Sequence, residues 1–128
     1  MSCDATPFSQ QRPPDPHTAS FSEWWYEGDG LWAGLAPPYE GRWFAGELAL
    51  KVLWYSEAAG ELQIIGKRLD GSSGVLSAEI PSGYEEVAYQ PSAILVSEPG
   101  CWAVTGSVGE RQLRVVAEVL ASELHPLR

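Results

Sequence analysis

The sequence predicts an all-β protein, two antiparallel sheets packed face to face, and three observations carry that expectation. Short apolar runs recur between turn residues, no window sustains a helical period, and the C-terminal part reads as a clean hairpin. In that hairpin Pro99-Gly100 opens a run in which Trp102 and Val104 face one way and Cys101, Ala103 and Thr105 the other. Gly109-Glu110 returns the chain, with glycine leading as a type II′ turn requires; Leu113, Val115, Ala117 and Val119 then face inward while Arg114 and Glu118 face water. The last hairpin of an immunoglobulin-like sandwich is written this way. The expectation is such an antiparallel sandwich of seven to eight strands, with a closed barrel as the alternative.

Taken in order, residues 1–20 hold Pro7, Pro13, Pro14 and Pro16 and little apolar periodicity, which predicts a flexible Pro-rich tether. The sandwich is expected over 21–120, with 121–128 as a tail. Residues 21–26 and 30–35 are aromatic-rich strands around a Gly28-Asp29-Gly30 turn, and 36–47, with Pro37-Pro38, is a long connection. Lys51 to Tyr55 is a strong strand. The segment Glu61 to Leu69 follows it after Ser56 to Gly60, a length that suits a five-residue hairpin loop. Ala45 to Leu53 also fits a helical spacing through Leu48 and Val52, but it merges into β-branched and aromatic residues. Strands over 75–80 and 93–96 complete the set.

A chain of 128 residues is one domain on length, and the net charge of −9 argues against nucleic acid, whose phosphates need clustered cations. The same sign disfavours electrostatic attachment to anionic membranes. No run is apolar enough for a membrane-spanning helix, and residues 1–20 lack the basic start and apolar block of a secretory leader.

Chemistry is sparse. His17 and His125 lie outside the predicted sandwich, where nothing would hold them for acid–base work, and they have no metal-ligand spacing to either cysteine. Asp29-Gly30 and Asp70-Gly71-Ser72 are turn signals without the run of oxygen ligands that calcium needs. The carboxylates Glu47, Glu61, Glu79, Glu85 and Glu86 form no evident catalytic pair. No catalytic residue, metal site or cofactor is therefore assigned. Six tryptophans are many for this length. Trp24-Trp25-Tyr26 cannot all point inward from one strand, so Trp24, Trp25, Trp32, Tyr39 and Trp43 are the candidate ligand-binding rings for a glycan, a peptide or a protein.

The two cysteines leave alternatives open. A Cys3–Cys101 bridge would tie the tether to the final hairpin, but nothing in the spacing demands one. The favoured reading of Cys101 is a small buried apolar residue beside Trp102, the expected plug of the core, rather than a reactive thiol, since no adjacent cation or histidine would lower its pKa. Cys3 ahead of a polar, Pro-rich segment also fits the lipid-bearing cysteine of a bacterial lipoprotein.

The run Gly41-Arg42-Trp43-Phe44, Lys51 to Tyr55, Leu62 to Gly71, Gln90-Pro91-Ser92 and Pro99 to Gly106 resembles a family of uncharacterised bacterial exported proteins. Many of these look like lipoproteins with a G-C-W-x-V-T-G signature near the C-terminus. The likeness spans residues 24–119, with Ala103 where that motif leads one to expect an acidic residue. It implies an immunoglobulin-like sandwich outside the cytoplasm, no activity to carry over, and Cys3 as lipid anchor, the one link to a membrane. The functional expectation is a non-catalytic cell-envelope binding module. A carbohydrate-binding module using the N-terminal tryptophans is the alternative, and a small enzyme or metal carrier the third reading.

Overall fold

The computed structural model describes residues 3–9, 11–14, 22, 24–35, 42–44, 47–71, 74–83 and 89–120, with 42–44 and 47 as backbone alone. Every regular element among them is a strand: β1 (Trp25–Gly28), β2 (Leu31–Leu35), β3 (Arg42–Phe44), β4 (Glu47–Ser56), β5 (Leu62–Arg68), β6 (Leu76–Glu79), β7 (Tyr89–Val96), β8 (Gly100–Val108) and β9 (Arg111–Val119). Eight have four residues or more, and β3 is a three-residue ribbon on β4. One antiparallel sheet runs β1-β2-β4-β7-β6, with β3 also on β4, and the other runs β5-β8-β9. Both sheets are open, so the barrel alternative falls away. With β1 and β3 set aside, β2-β4-β7-β6 over β5-β8-β9 is the strand order of a constant-type immunoglobulin sandwich.

Alternation decides which side chains meet between the sheets. Leu31, Leu48, Val52, Trp54, Ile94 and Val96 of the larger sheet pack on Trp102, Val104, Val108, Leu113, Val115 and Val119 of the smaller one. Trp102 is the expected plug, with no exposed surface. Trp54 lies on Gly106 of β8 so closely that a Cβ there would come 2.5 Å from its Cη2, which is why this motif ends in glycine. The Trp54 indole N–H donates to Ser92 Oγ at 3.0 Å, and that hydroxyl donates to Val52 O at 2.9 Å. Gln90 bolts β7 to the start of β5: its Oε1 accepts the Leu62 N–H at 3.2 Å and its Nε2 donates to Gly60 O at 2.8 Å. Burial of these polar groups on β7 is tolerated because each is hydrogen-bonded in this way.

The turns follow their residues. Asp29 and Gly30 sit at φ 55° and 75°, so both central positions of the β1–β2 hairpin are left-handed, as a type I′ turn requires. Gly109 at φ 61° leads the β8–β9 turn as expected. Two expectations need correction. Ser56 to Gly60 does not close a hairpin, because β4 pairs with β2, β3 and β7 while β5 pairs with β8. Ser56 turns the chain over instead, its Oγ accepting the Ala58 N–H at 3.0 Å, and the connection crosses from one sheet to the other. The helical spacing of Ala45 to Leu53 is overruled too: 47–56 is a ten-residue strand, since Leu48, Val52 and Trp54 gain a facing layer only when extended.

The expected tether is tied down over much of its described part. The Thr6 N–H donates to Val116 O at 2.7 Å and Thr6 Oγ1 accepts the Val116 N–H at 2.8 Å, on the open edge of β9. The Ser9 N–H donates to Trp25 O at 2.7 Å, on the open edge of β1. Phe8 packs on Trp24 and Tyr26, with ring centroids 5.1 and 4.8 Å away. The arm therefore sews the two sheets together along one seam. Cys3 is disulfide-bonded to Cys101, with Cα atoms 5.5 Å apart, on the outer face of the small sheet beside Ala103, Val116 and Leu69. That sulfur cannot also carry a thioether, so Cys3 is not a lipid anchor in this structure.

Candidate functional site

Three clefts were candidates, and the residues around each decide its use. The first lies between the sheets, where Leu35, Leu50, Leu76 and Val119 end the core; it holds only about 40 Å³ and is lined by apolar side chains. It is too small for a ligand.

The second, of about 310 Å³, lies beside Arg68, Gly74 and Trp102. Its guanidinium is already engaged: Arg68 Nε meets Asp70 Oδ1 at 2.8 Å and Nη1 meets Glu98 Oε1 at 2.7 Å. Gly100, at φ 152°, leaves room for this cluster, since a Cβ there would lie 2.8 Å from Arg68 Nε. The hydrogen bond from Arg68, followed by a backbone hydrogen bond from Cys101, holds the Asp70 carboxyl below its ordinary range. A carboxyl depressed by folding adds stability above its unfolded range and loses it as pH falls through the folded value. The difference in melting temperature between the wild type and Asp70→Asn should thus be present at neutral pH and close in acid below the usual carboxylate range. A difference that does not change with pH would show that Asp70 contributes as a turn residue only.

The G-C-W-A-V-T-G stretch is thereby consumed by architecture: room for an ion cluster, a disulfide, the core plug and a seat for Trp54. Ala103 packs with Cys101 and Val116 under the arm, buried at 4% exposure, where a small apolar side chain fills the space.

The third cleft is on the outer face of the six-stranded sheet. Residue parity brings Trp25, Gly34, Leu53 and Pro91 into one row across β1, β2, β4 and β7, and Glu27, Trp32, Tyr55 and Tyr89 into the next. Trp25 lies over Gly34, where a Cβ would meet its ring at 2.7 Å, and its indole N–H donates to Ser22 O at 2.8 Å. Trp32 meets Tyr55 edge-on at 5.6 Å. Both indoles are buried, Trp25 at 1% and Trp32 at 7% exposure, whereas Tyr89 in the same row as Trp32 is exposed. The Trp32 Nε1 is buried without a hydrogen-bond acceptor among the described residues. Along the strands from these rows opens a groove of about 490 Å³ lined by Lys51, Leu53, Glu79, Pro81, Pro91 and Ala93. Lys51 and Glu79 stand on either side of Ala93 in one register row, giving an apolar floor with walls of opposite charge.

The sequence-derived candidates divide accordingly. Trp25 and Trp32 share a face but are buried supports rather than a platform. Trp24 is exposed and stacks with Phe8 at the sewn seam, away from them. Tyr39, with His17 and His125, lies outside the described residues, and Trp43 is described as backbone alone. Tyr89 and Lys51 are not among those candidates, and Glu79 enters the sequence reading only as one of the carboxylates that form no catalytic pair. The signal was masked because β7 begins Tyr89-Gln90-Pro91-Ser92, whose buried positions are polar, so its alternation is not visible as apolar and polar. Pro91 is tolerated because β6, which pairs only with 93–96, has ended before reaching it.

The class is thus an all-β sandwich with immunoglobulin-like strand order and an added N-terminal strap. No protein-family model matches the chain, and neither a curated protein nor a solved structure matches it.

Proposed function

We propose that this chain is a non-catalytic, extracytoplasmic binding module of the cell envelope, working through the outer-face groove of its six-stranded sheet. The observation that carries the reading is the groove itself: an apolar floor between Lys51 and Glu79, next to the exposed Tyr89 and the half-buried Tyr55. A concave site with a few placed polar groups is the usual form of a small-ligand site. The Cys3–Cys101 disulfide supports a location outside the reducing cytoplasm. The non-catalytic reading draws on the use of the buried polar side chains Ser22, Ser56, Gln90 and Ser92 in holding the fold. Among the described residues no three His, Cys, Asp or Glu side chains gather as metal ligands.

The saccharide alternative is favoured by a different set of rings from the N-terminal tryptophans. Tyr55 and Tyr89 face each other across β4 and β7 on this surface, and Trp32, beside Tyr55 on β2, offers a buried indole N–H that has no acceptor among the described residues. Aromatic faces stack on the C–H faces of sugars, and an orphaned donor costs about 1–3 kcal/mol until an acceptor reaches it.

The test is titration by intrinsic fluorescence with soluble oligosaccharides and, separately, extended peptides. Tyr89→Ala should weaken the bound class about tenfold, about 1.4 kcal/mol, without lowering the melting temperature. Saccharides alone saturating the signal would select the second reading. Saturation that ignores both Tyr89 and Lys51 would remove the groove from consideration.

A further inference from the structure

The strands that end the two sheets are β1 and β6 in one and β5 and β9 in the other. They are treated unequally. At one seam Thr6 covers Val116 of β9, Asp29 Oδ2 accepts the Gln112 N–H at 3.0 Å, and Ser9 covers Trp25 of β1. At the other seam β5 lies near β6 without pairing to it. Backbone groups along a strand point alternately to one neighbour and the other. The Leu69 N–H goes to Cys101 O on β8, whereas the Leu62 N–H goes away from β8 to Gln90. Odd-numbered residues here serve β8, so the backbone groups of Leu62, Ile64, Gly66 and Arg68 point outward. Gln90 takes the first of these; the rungs of Ile64 and Gly66 have no partner among the described residues. Between them on the outer face stands Ile65, 71% exposed, more than any other large apolar side chain described.

The geometry points to a second copy of this chain on the β5 edge, the two β5 strands pairing antiparallel about a two-fold axis that passes between their Ile65 residues. Of the registers that pair the Ile64 and Gly66 rungs, Gly66 against Gly66 would set Lys67 against Ile65, whereas the one that sets Ile64 of each copy against Gly66 of the other centres the two-fold on Ile65. That register makes Ile65 face Ile65 as a non-hydrogen-bonded pair, the closer kind, with Cα atoms about 4.5 Å apart. It sets Gln63 of each copy opposite Lys67 of the other, so no like charges meet. Such an interface is self-complementary, as two-fold symmetry requires. Foreign extended peptides can use the same rungs, but self-pairing alone covers Ile65 with its own twin. The groove lies on the other sheet and plays no part.

Sedimentation of the disulfide-bonded chain, with salt added to screen the net charge of −9 on each copy, tests the pairing. A concentration-dependent dimer is expected, with slower amide exchange at Ile64 and Gly66 as concentration rises. Ile65→Lys should sediment as a monomer with an unchanged melting temperature. Ile65→Cys should oxidise to a covalent dimer where Gln63→Cys does not. A wild-type monomer at millimolar concentration, a dimer indifferent to Ile65→Lys, or Ile64 and Gly66 amides protected only by a foreign peptide would each overturn the assignment.

Discussion

Trp102→Ala is expected to remove about 3–5 kcal/mol of stability, the range of large-to-small changes in a packed core. The ring has no exposed surface and its Nε1 donates to Glu98 O at 3.1 Å, so deletion removes contacts and leaves that carbonyl without its donor. It also already borders the apolar cavity of about 40 Å³, so the space left behind would merge with existing space instead of collapsing. Domains of this size are stable by about 5–15 kcal/mol, so a loss of that order brings the chain near its threshold. The measurement is a denaturant curve at fixed redox state, where the midpoint should fall with little change in slope. Trp102→Phe should lose less, because most of the ring volume stays. A midpoint close to wild type for the alanine variant would mean that another residue fills the centre of the sandwich.

Removing the Cys3–Cys101 bond should have an effect of similar size, about 2–5 kcal/mol, by a different route. The bridge joins residues 98 positions apart, so it constrains nearly the whole unfolded chain, and stabilisation in the chain-entropy account grows with loop length. The pair Cys3→Ser and Cys101→Ala keeps a small apolar group against Ala103 and Val116, which separates loss of the bond from loss of packing. A local consequence should accompany the global one. The strap is then held by its hydrogen bonds to Val116 and Trp25 and by Phe8, so amide exchange at Val116 should rise well before the core opens. Chemical reduction of the wild type should reproduce both results. Unchanged exchange at Val116 would show that the arm needs no staple, and an unchanged denaturation midpoint would remove the bond from the list of stabilising features.

The hairpin of β8 and β9 was legible because every local signal agrees there: strict alternation, a glycine in the left-handed turn position, and charged residues at the exposed positions. Agreement of this kind across levels is what makes a segment readable. At β7 the levels disagree. Gln90 and Ser92 are polar yet buried, because each answers a hydrogen-bonding group on a strand far away in sequence, and so the start of the strand and its exposed Tyr89 went unseen. The aromatic run Trp24-Trp25-Tyr26 signalled correctly that neighbouring rings part company. It carried no information about burial. Trp25 is covered although it points away from the main core, and Trp24 stays exposed against Phe8 of the arm.

Local sequence, then, was enough for the strand class, most strands, the turns and the central ring, since these follow from side-chain alternation and from which residues tolerate a positive φ. Which strand pairs with which, the capture of the arm by Cys101, and the gathering of Lys51, Glu79 and Tyr89 on one face came only with the assembled sheets. The physical reason is separation: those contacts join residues tens of positions apart, and their energies depend on register and burial, which no short window of sequence contains.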